Sequence, residues 1–294
     1  QDSLQEEKTK NALQSEAKSL SMISQERITE ELNKIIASKK PSIGFKLLFD
    51  SKLLHEFFPE LVQLQGVEVR NGKGHKDNFY HTLQVLDQIA VKTEDLWLRW
   101  AALLHDIAKP ATKRFSKDEG WSFHGHEDKG ARMVPTIFRN LKLPLDDKMK
   151  YVQKLVFMSS RPIVLAQENI SDSAIRRLVF DAGEFVEDLM TLCEADITTK
   201  NSFKFKKYHN NFKLVRKKIV QVEERDRLRN FQPPISGKSI MKAFNLGPSK
   251  EIGIIKEYIK ESILEGIIPN DSEKAFELML KKGTELGLTI SNEE

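Results

Sequence analysis

The chain has 294 residues, enough to bury a sizeable core, and its 39% hydrophobic and 31% charged residues are ordinary for a folded globular protein. The single cysteine, Cys193, excludes an internal disulfide and a zinc cage built from cysteines, and it favours a cytoplasmic protein. No apolar run approaches the roughly 20 residues that span a bilayer, so we expect no membrane partner. Residue 1 is glutamine, and we expect a further segment to precede it in the natural protein.

Apolar residues recur at helical spacing along nearly the whole chain, and strict alternation is almost absent, so the sequence predicts an all-α fold. In chain order, helices are predicted at about residues 3–20, 24–36, 43–49, 53–58, 77–90, 96–109, 127–140, 146–159, 172–181 and 184–198. Residues 114–116 and 121–123 are predicted to pair, giving at most one short hairpin. Three short helices are predicted within 238–286, and the Gly-rich loop at 71–74 is a candidate boundary.

The net charge of +4 is unevenly distributed along the chain. Residues 200–229 carry eleven Lys and Arg against three acidic residues, with four aromatic residues among them. Such a stretch is typical of a surface that contacts phosphate backbones. A long amphipathic helix with a solvated basic face is the alternative interpretation.

Four of the seven histidines lie within 46 residues, in or beside apolar helical sequence: His81, His105, His124 and His126. His105 is followed by Asp106, directly after a fully apolar turn. An ionised carboxylate in such a setting costs several kcal/mol unless it is paired or binds a metal. A buried histidine taken alone is more often part of the core, so the cluster is what favours a metal site.

The residues that could complete such a site lie on neighbouring predicted helices. His81 lies 24 residues before His105, and Asp196 ends a later apolar helix, where Asp188 is the competing candidate. Two nitrogen and two oxygen ligands suit a divalent cation of the Mn, Fe, Ni or Zn type better than Ca²⁺.

In order, His81, the His105-Asp106 pair and Asp196 resemble the H…HD…D signature of the HD-domain metal-dependent phosphohydrolases, over about residues 75–200. The resemblance implies a divalent metal (Mn, Fe, Ni, Zn or Mg) on these four residues. It also implies a phosphomonoester or cyclic phosphodiester substrate, at a nucleotide or an RNA end.

Two further positions are assigned by the same resemblance. Lys109 matches the lysine of the HD-x-x-K pattern, and residues 123–127 resemble a segment that some HD proteins use for a second metal or for phosphate. This implies a second-metal or phosphate role for His124 and His126, and catalytic stabilisation of phosphate by Lys109 and His126. The alternatives are a lysine at a helix C-terminus and histidines that only cap the next helix.

The flanking segments resemble the bacterial tRNA nucleotidyltransferase and poly(A) polymerase family. Residues 23–34, 41–45 and 58–61 are similar to its neck and body, and residues 235–241, 246–253 and 265–270 are similar to its tail. The resemblance implies four parts: neck and start of body at 1–70, HD domain at 71–200, basic connecting helix at 201–232 and helical tail at 233–294.

The family resemblance also implies a tRNA partner, held through its backbone shape. Phosphate contacts are expected from the basic stretch and from the helix start after Gly247-Pro248. The candidate RNA-binding residues are Lys204, Lys206, Lys207, Lys213, Arg216, Lys217 and Lys250.

The nucleotide-adding site of that family uses an Asp-x-Asp pair on a small mixed sheet. No two of the sixteen aspartates here are separated by one position. We therefore expect that this chain does not add nucleotides by itself, and that ATP and CTP would bind only to a head outside it.

Three functions stay open on sequence alone. The first is the neck, body and tail portion of a tRNA nucleotidyltransferase with an embedded HD site. The second is a stand-alone HD phosphohydrolase acting on nucleotides or RNA-end phosphates, and the third is an RNA-binding module whose HD site is inactive. The identity of the metal and the oligomeric state are not determined by the sequence.

Overall fold

The computed structural model describes residues 24–167, 170–228 and 231–291. It is 68% helical, which confirms the all-α prediction. Within these residues, no helix is both long and apolar enough to cross a bilayer. The helix predicted at 3–20 lies outside the described residues.

The chain divides into two compact units, of which the first comprises residues 1–164 and 187–210. Its helices lying wholly inside the unit are α1 (Gln25–Ala37), α2 (Pro41–Asp50), α3 (Leu53–Phe57), α4 (Pro59–Val62), α5 (Asn78–Lys92), α6 (Leu96–Leu104), α7 (Lys109–Thr112), α8 (His126–Asn140) and α9 (Asp147–Met158). Large side chains fill the core between these helices: Phe45, Phe58, Phe79, Trp100 and Phe138 are fully buried. Helix α6 is buried along seven of its nine residues, and the buried residues His105 and Asp106 follow it directly.

Side-chain caps fix where several of these helices begin. Ser24 accepts a hydrogen bond from the backbone N–H of Arg27, and Asp77 accepts from Phe79 and Tyr80. Both residues lie at the predicted starts of these helices, and Ser and Asp suit that position because they satisfy the free N–H groups of a first helical turn. The cap at Asp77 sets the register of α5 and therefore the direction in which His81 points.

Three helices that the sequence pattern does not predict all contain a proline in their first turn. Pro59 begins α4, Pro110 is the second residue of α7, and α10 (Arg161–Gln167) has proline at its second position. The prediction of one helix over 96–109 is therefore wrong, since α6 ends at Leu104 and a turn precedes α7. Proline lacks the N–H that a first turn leaves unpaired, so it begins a helix as readily as it ends one.

Two hairpins stand in the described part of the first unit. Strand β3 (Arg114–Ser116) pairs with β4 (Gly120–Ser122), as expected, and β1 (Val69–Arg70) pairs with β2 (Lys73–Gly74). The expectation of at most one hairpin is therefore wrong. The cause is the Asn71-Gly72 step, whose positive φ angles of 51° and 72° suit the two-residue turn that this dipeptide favours.

The second unit comprises residues 165–186 and 211–294. Its wholly internal helices are α11 (Asp172–Ala182), α14 (Gly237–Phe244), α15 (Lys250–Leu264) and α16 (Ser272–Glu285), the last three as predicted. Helices α12 (Val186–Ala195) and α13 (Ser202–Asp226) begin in one unit and end in the other. The four-part division expected from sequence stays a prediction.

Candidate metal centre

His105 lies in the turn between α6 and α7, where its ring is fixed by the main chain. Its Nδ1–H donates to the carbonyl of Ala102 at 2.7 Å, so the lone pair of a neutral ring is on Nε2. The side chain is 3% exposed, and Nε2 is buried without a hydrogen-bond partner. Two carboxylate oxygens lie near this atom, Asp106 Oδ2 at 3.3 Å and Asp196 Oδ1 at 3.5 Å. A lone pair facing two anions is repulsive unless a proton or a cation lies between them.

His81 and Asp196 approach the same point from helix α5 and from the residue after α12. The Nε2 of His81 lies 2.8 Å from Asp196 Oδ1, and its Nδ1 lies 3.1 Å from the hydroxyl of Thr198. Ligand atoms of His81, His105 and Asp196 lie within 4.8 Å of one another. A single cation could therefore contact all three.

Asp106 borders this trio. Its Oδ2 lies 3.7 Å from His81 Nε2 and 3.3 Å from His105 Nε2, and its side chain is 3% exposed. The four residues named from sequence are thus brought together, with two imidazole nitrogens and two carboxylates. This donor set, with the orphaned Nε2 of His105, fits a divalent transition metal. We refer to His81, His105, Asp106 and Asp196 as the HD cluster.

The electrostatics of the cluster favour positive charge. Burial disfavours ionised carboxyls, yet His105 and Lys109 hold the pKa of Asp106 well below its usual value. Burial likewise opposes ionisation of Asp196, but His105 and His81 lower the pKa of that carboxyl. In return, the two carboxylates overcome the effect of burial and raise the pKa of the His105 imidazole to about 10. Two ionised carboxylates at the edge of an apolar core are the environment that a cation neutralises.

Lys109 and His126 both lie against the carboxylate of Asp106. The Lys109 ammonium donates to Asp106 Oδ2 at 2.7 Å, and His126 Nε2 lies 3.4 Å from Asp106 Oδ1. The Nδ1–H of His126 donates to the carbonyl of Phe123 at 2.9 Å, so its Nε2 is the nitrogen free to act in the site. Both groups therefore lie beside the HD cluster.

Two other candidate residues, His124 and Asp188, are not brought into the HD cluster. The His124 side chain is 86% exposed, with Nε2 3.9 Å from a carboxylate oxygen of Glu119, and the structure does not bring it into the cluster. Asp188, the alternative to Asp196, accepts a hydrogen bond from the Tyr151 hydroxyl at 2.9 Å. Thr198 contacts His81 but is not predicted from the sequence, where the only signal is a hydroxyl residue two positions after the candidate ligand Asp196.

Comparison with known families gives two matches along this chain. Residues 78–200 match the HD domain, and residues 6–64 match a family described as "Probable RNA and SrmB- binding site of polymerase A". The HD match begins at the first residue of α5 and contains the whole HD cluster.

Curated relatives extend the similarity beyond both matches. The chain is 30% identical to the A-adding tRNA nucleotidyltransferase of Deinococcus radiodurans, over 84% of this chain and 56% of the relative. It is 27% identical to the CC-adding tRNA nucleotidyltransferase of Thermus thermophilus, over 88% of this chain and 58% of that protein.

Both family matches and these relatives are consistent with the C-terminal part of the tRNA nucleotidyltransferase and poly(A) polymerase family. A third relative, the Multifunctional CCA protein of Tolumonas auensis, is 27% identical over 64% of this chain and 46% of its own length. The chain spans about half the length of the curated relatives it matches.

The predicted RNA-binding residues are distributed over both units. Lys204, Lys206 and Lys207 are exposed in the first unit, on the first turns of α13, next to the 76% exposed ring of Phe203. The others lie in the second unit: Lys213, Lys217 and Lys250 are exposed, and Arg216 is half-buried. The basic stretch is a 25-residue helix, as the amphipathic interpretation expected, and its charged face is open to solvent.

Proposed function

We propose that this chain is the RNA-holding portion of a tRNA nucleotidyltransferase and that its HD cluster is a metal-dependent phosphohydrolase site. The observation that carries the second part is the convergence of ligand atoms from His81, His105 and Asp196 within 4.8 Å, around an orphaned imidazole nitrogen. The first part is supported by relatives that are named for adding A or CC to tRNA.

The residues that would hold the metal are His81, His105, Asp106 and Asp196, and the candidates are Mn, Fe, Ni, Zn and Mg. A divalent cation supplies Lewis-acid activation of water and of a phosphoryl oxygen when it is bound. The protein contributes the orientation of the donors. The Ala102 carbonyl fixes the ring of His105, and the Thr198 hydroxyl contacts the far nitrogen of His81, as partners of ligating histidines do.

Lys109 and His126 would act on the phosphate itself. The Lys109 ammonium, 2.7 Å from Asp106, can donate N–H bonds to phosphoryl oxygens while it stays next to its carboxylate partner. Because Nδ1 of His126 is held by the Phe123 carbonyl, that ring takes up or releases a proton at Nε2. We infer a phosphomonoester or a cyclic phosphodiester as the substrate class, at a nucleotide or an RNA end.

The test of this site is hydrolysis by the full chain loaded with each candidate metal. The substrates are a nucleoside 2′,3′-cyclic phosphate and a 3′-phosphorylated oligoribonucleotide. We expect activity that the double variant His105→Ala, Asp106→Ala abolishes. The matched control is His124→Ala, which removes an imidazole outside the cluster and should leave the rate unchanged. Activity that survives the double change would refute the site assignment.

For tRNA, we infer phosphate contacts from the exposed lysines on the first turns of α13. Each such contact releases counterions, so affinity should fall steeply with salt. The variant Lys206→Ala, Lys207→Ala should weaken tRNA binding and reduce the slope of log affinity against log salt by about two. The control is Lys148→Ala, Lys150→Ala, which removes the same charge from exposed residues on α9. Equal behaviour of the two double variants would contradict this RNA-binding surface.

Nucleotide addition, the activity in the relatives' names, would require residues that this chain does not supply. Its aspartates contain no Asp-x-Asp pair for the paired Mg²⁺ ions. We therefore infer that ATP and CTP are substrates only of a larger protein that includes a catalytic head. A tRNA-extension assay with the chain alone should give no labelled product, and incorporation of labelled ATP would contradict this inference.

A further inference from the structure

The two hairpins form a surface that neither the HD cluster nor the basic helix explains. We call residues 67–75 and 113–123 the two-hairpin face. Four half-buried rings follow one another across it. The ring centroids of Phe115 and Trp121 lie 5.1 Å apart, those of Trp121 and His75 lie 5.3 Å apart, and those of His75 and Phe123 lie 5.7 Å apart.

Positive groups lie over these rings. Arg70 lies 5.3 Å from the Phe115 centroid, and Lys113 lies 5.3 Å from that of Trp121. Lys113 is also paired with the carboxylate of Glu68, so that cation is partly neutralised. The face as a whole carries five Lys and Arg against three acidic residues. Aromatic rings that keep part of their surface accessible and are interleaved with cations are the composition that binds single-stranded nucleic acid, through stacking and phosphate contacts.

The rings are held in place by bonds between the hairpins. The indole N–H of Trp121 donates to the Lys73 carbonyl at 3.0 Å. The Lys73 ammonium donates to the carbonyls of Lys117 and Asp118, at 3.1 and 3.0 Å, in the turn of the other hairpin. The face is therefore organised before any ligand binds, which lowers the entropic cost of binding.

The row of rings ends at the HD cluster. The Lys109 ammonium lies 5.6 Å from the centroid of Phe123 and 2.7 Å from Asp106 Oδ2. The carbonyl of Phe123 accepts the hydrogen bond that orients His126. A strand whose terminal phosphate lies at Lys109 and His126 would therefore place its next bases against Phe123 and the rings beyond it.

We propose that the two-hairpin face binds the unpaired bases of an RNA strand whose terminal phosphate lies at the HD cluster. This inference rests on the proposed phosphohydrolase function, for which it names the substrate as a single-stranded RNA end. Unpaired bases offer their ring faces to Trp121 and Phe123, whereas a duplex keeps its bases stacked on one another. The face should therefore prefer single-stranded to double-stranded RNA, with little dependence on base sequence.

The probe is a fluorescein-labelled hexaribonucleotide with a 3′-phosphate, titrated with the full chain and followed by fluorescence anisotropy. We expect Trp121→Leu to weaken binding about tenfold, the usual loss when one stacking ring is removed. The matched control is Trp97→Leu, since Trp97 is also half-buried beneath a cation, Lys148 at 5.5 Å. Trp97 lies eight residues before His105, about 12 Å along the helix. Equal affinities of the two tryptophan variants would overturn the proposal, as would equal binding of the hexamer and its duplex.

A second variant guards against a misfolded hairpin. Phe115→Leu removes the far ring of the row, and it should weaken binding of the hexamer more than binding of a dinucleotide. Circular dichroism melts of each variant report folding. A folded Phe115→Leu protein that binds both lengths as the wild type does would contradict a row of stacking sites.

Hydrolysis separates this proposal from the one on which it rests. With a nucleoside 2′,3′-cyclic phosphate, Trp121→Leu should keep the wild-type rate, whereas with the hexamer its kcat/KM should fall about tenfold. If the wild type hydrolyses neither substrate, the phosphohydrolase proposal fails, and a tenfold binding difference would still support the face. If Trp121→Leu lowers kcat/KM equally for both substrates, the two-hairpin face is not a base-binding surface.

Discussion

Replacing Thr198 with valine tests how His81 is prepared for a metal. The Thr198 hydroxyl lies 3.1 Å from His81 Nδ1, while His81 Nε2 lies 2.8 Å from Asp196 Oδ1. Without a cation, Nε2–H donates to Asp196, and Nδ1 accepts from the hydroxyl. For Nε2 to ligate a cation, the proton must be on Nδ1, and the hydroxyl oxygen must accept it. A hydroxyl can both donate and accept a hydrogen bond, whereas the isosteric side chain of valine can do neither.

The expected loss of metal affinity follows from what the hydrogen-bond partner of a ligating histidine contributes. Removing the hydrogen-bond partner of a ligating histidine costs about 10- to 100-fold in metal affinity. This corresponds to about 1.4 to 2.7 kcal/mol. Leaving the buried Nδ1–H without an acceptor gives an independent figure of about 1–3 kcal/mol, which agrees.

The assay is competition between the full chain and a chromophoric chelator for Mn²⁺ or Zn²⁺. The control is Thr199→Val, because the Thr199 hydroxyl accepts from the N–H of Asn201 and is one residue away. We expect Thr198→Val to bind metal 10- to 100-fold more weakly, and Thr199→Val to bind as the wild type does. Wild-type affinity in Thr198→Val would show that His81 is not oriented through this hydroxyl.

Two further predictions concern the stability of the second unit. Burial favours the neutral form of the Asp226 carboxyl, but Arg225 and Arg176 lower its pKa. The stabilisation is therefore present above about pH 4 and is lost as pH falls further, so Asp226→Asn should flatten the acid side of a pH–stability curve. A methyl group on Gly283 would lie 2.0 Å from Phe244 Cζ, and Gly283→Ala should destabilise this unit by about 1–3 kcal/mol in urea unfolding. A methyl group on Gly253 would meet nothing within 4 Å, so Gly253→Ala should stabilise this unit by about 1 kcal/mol. Equal changes in the free energy of unfolding for the two alanine variants would contradict the close packing of Gly283 against Phe244.

The fold was predictable where local chemistry decides it. The caps at Ser24 and Asp77 need only the residue and the turn that follows it. The helix over 96–109 was predicted too long, because Ile107 and Ala108 are buried in the turn just as they would be in a helix. Hydrophobicity alone does not distinguish a buried turn from a continuing helix.

The cluster was predictable in its residues but not in its partners. Ionised aspartates in apolar sequence cost free energy unless their charge is offset, and a cation shared with the two histidines was the simplest way to offset it. Which of His124 and His126 faces the cluster depends on the loop before α8, where the Phe123 carbonyl holds the ring of His126. The contact of Thr198 with His81 joins residues 117 positions apart, and no local pattern carries that information.

Metal content tests most directly whether the HD cluster holds a divalent cation. The full chain, purified without chelator and dialysed against Mn²⁺ or Zn²⁺, should retain about one equivalent of metal by mass spectrometry. Under the same conditions His105→Ala should retain almost none, and His124→Ala should match the wild type. Equal metal in the wild type and in His105→Ala would contradict the account.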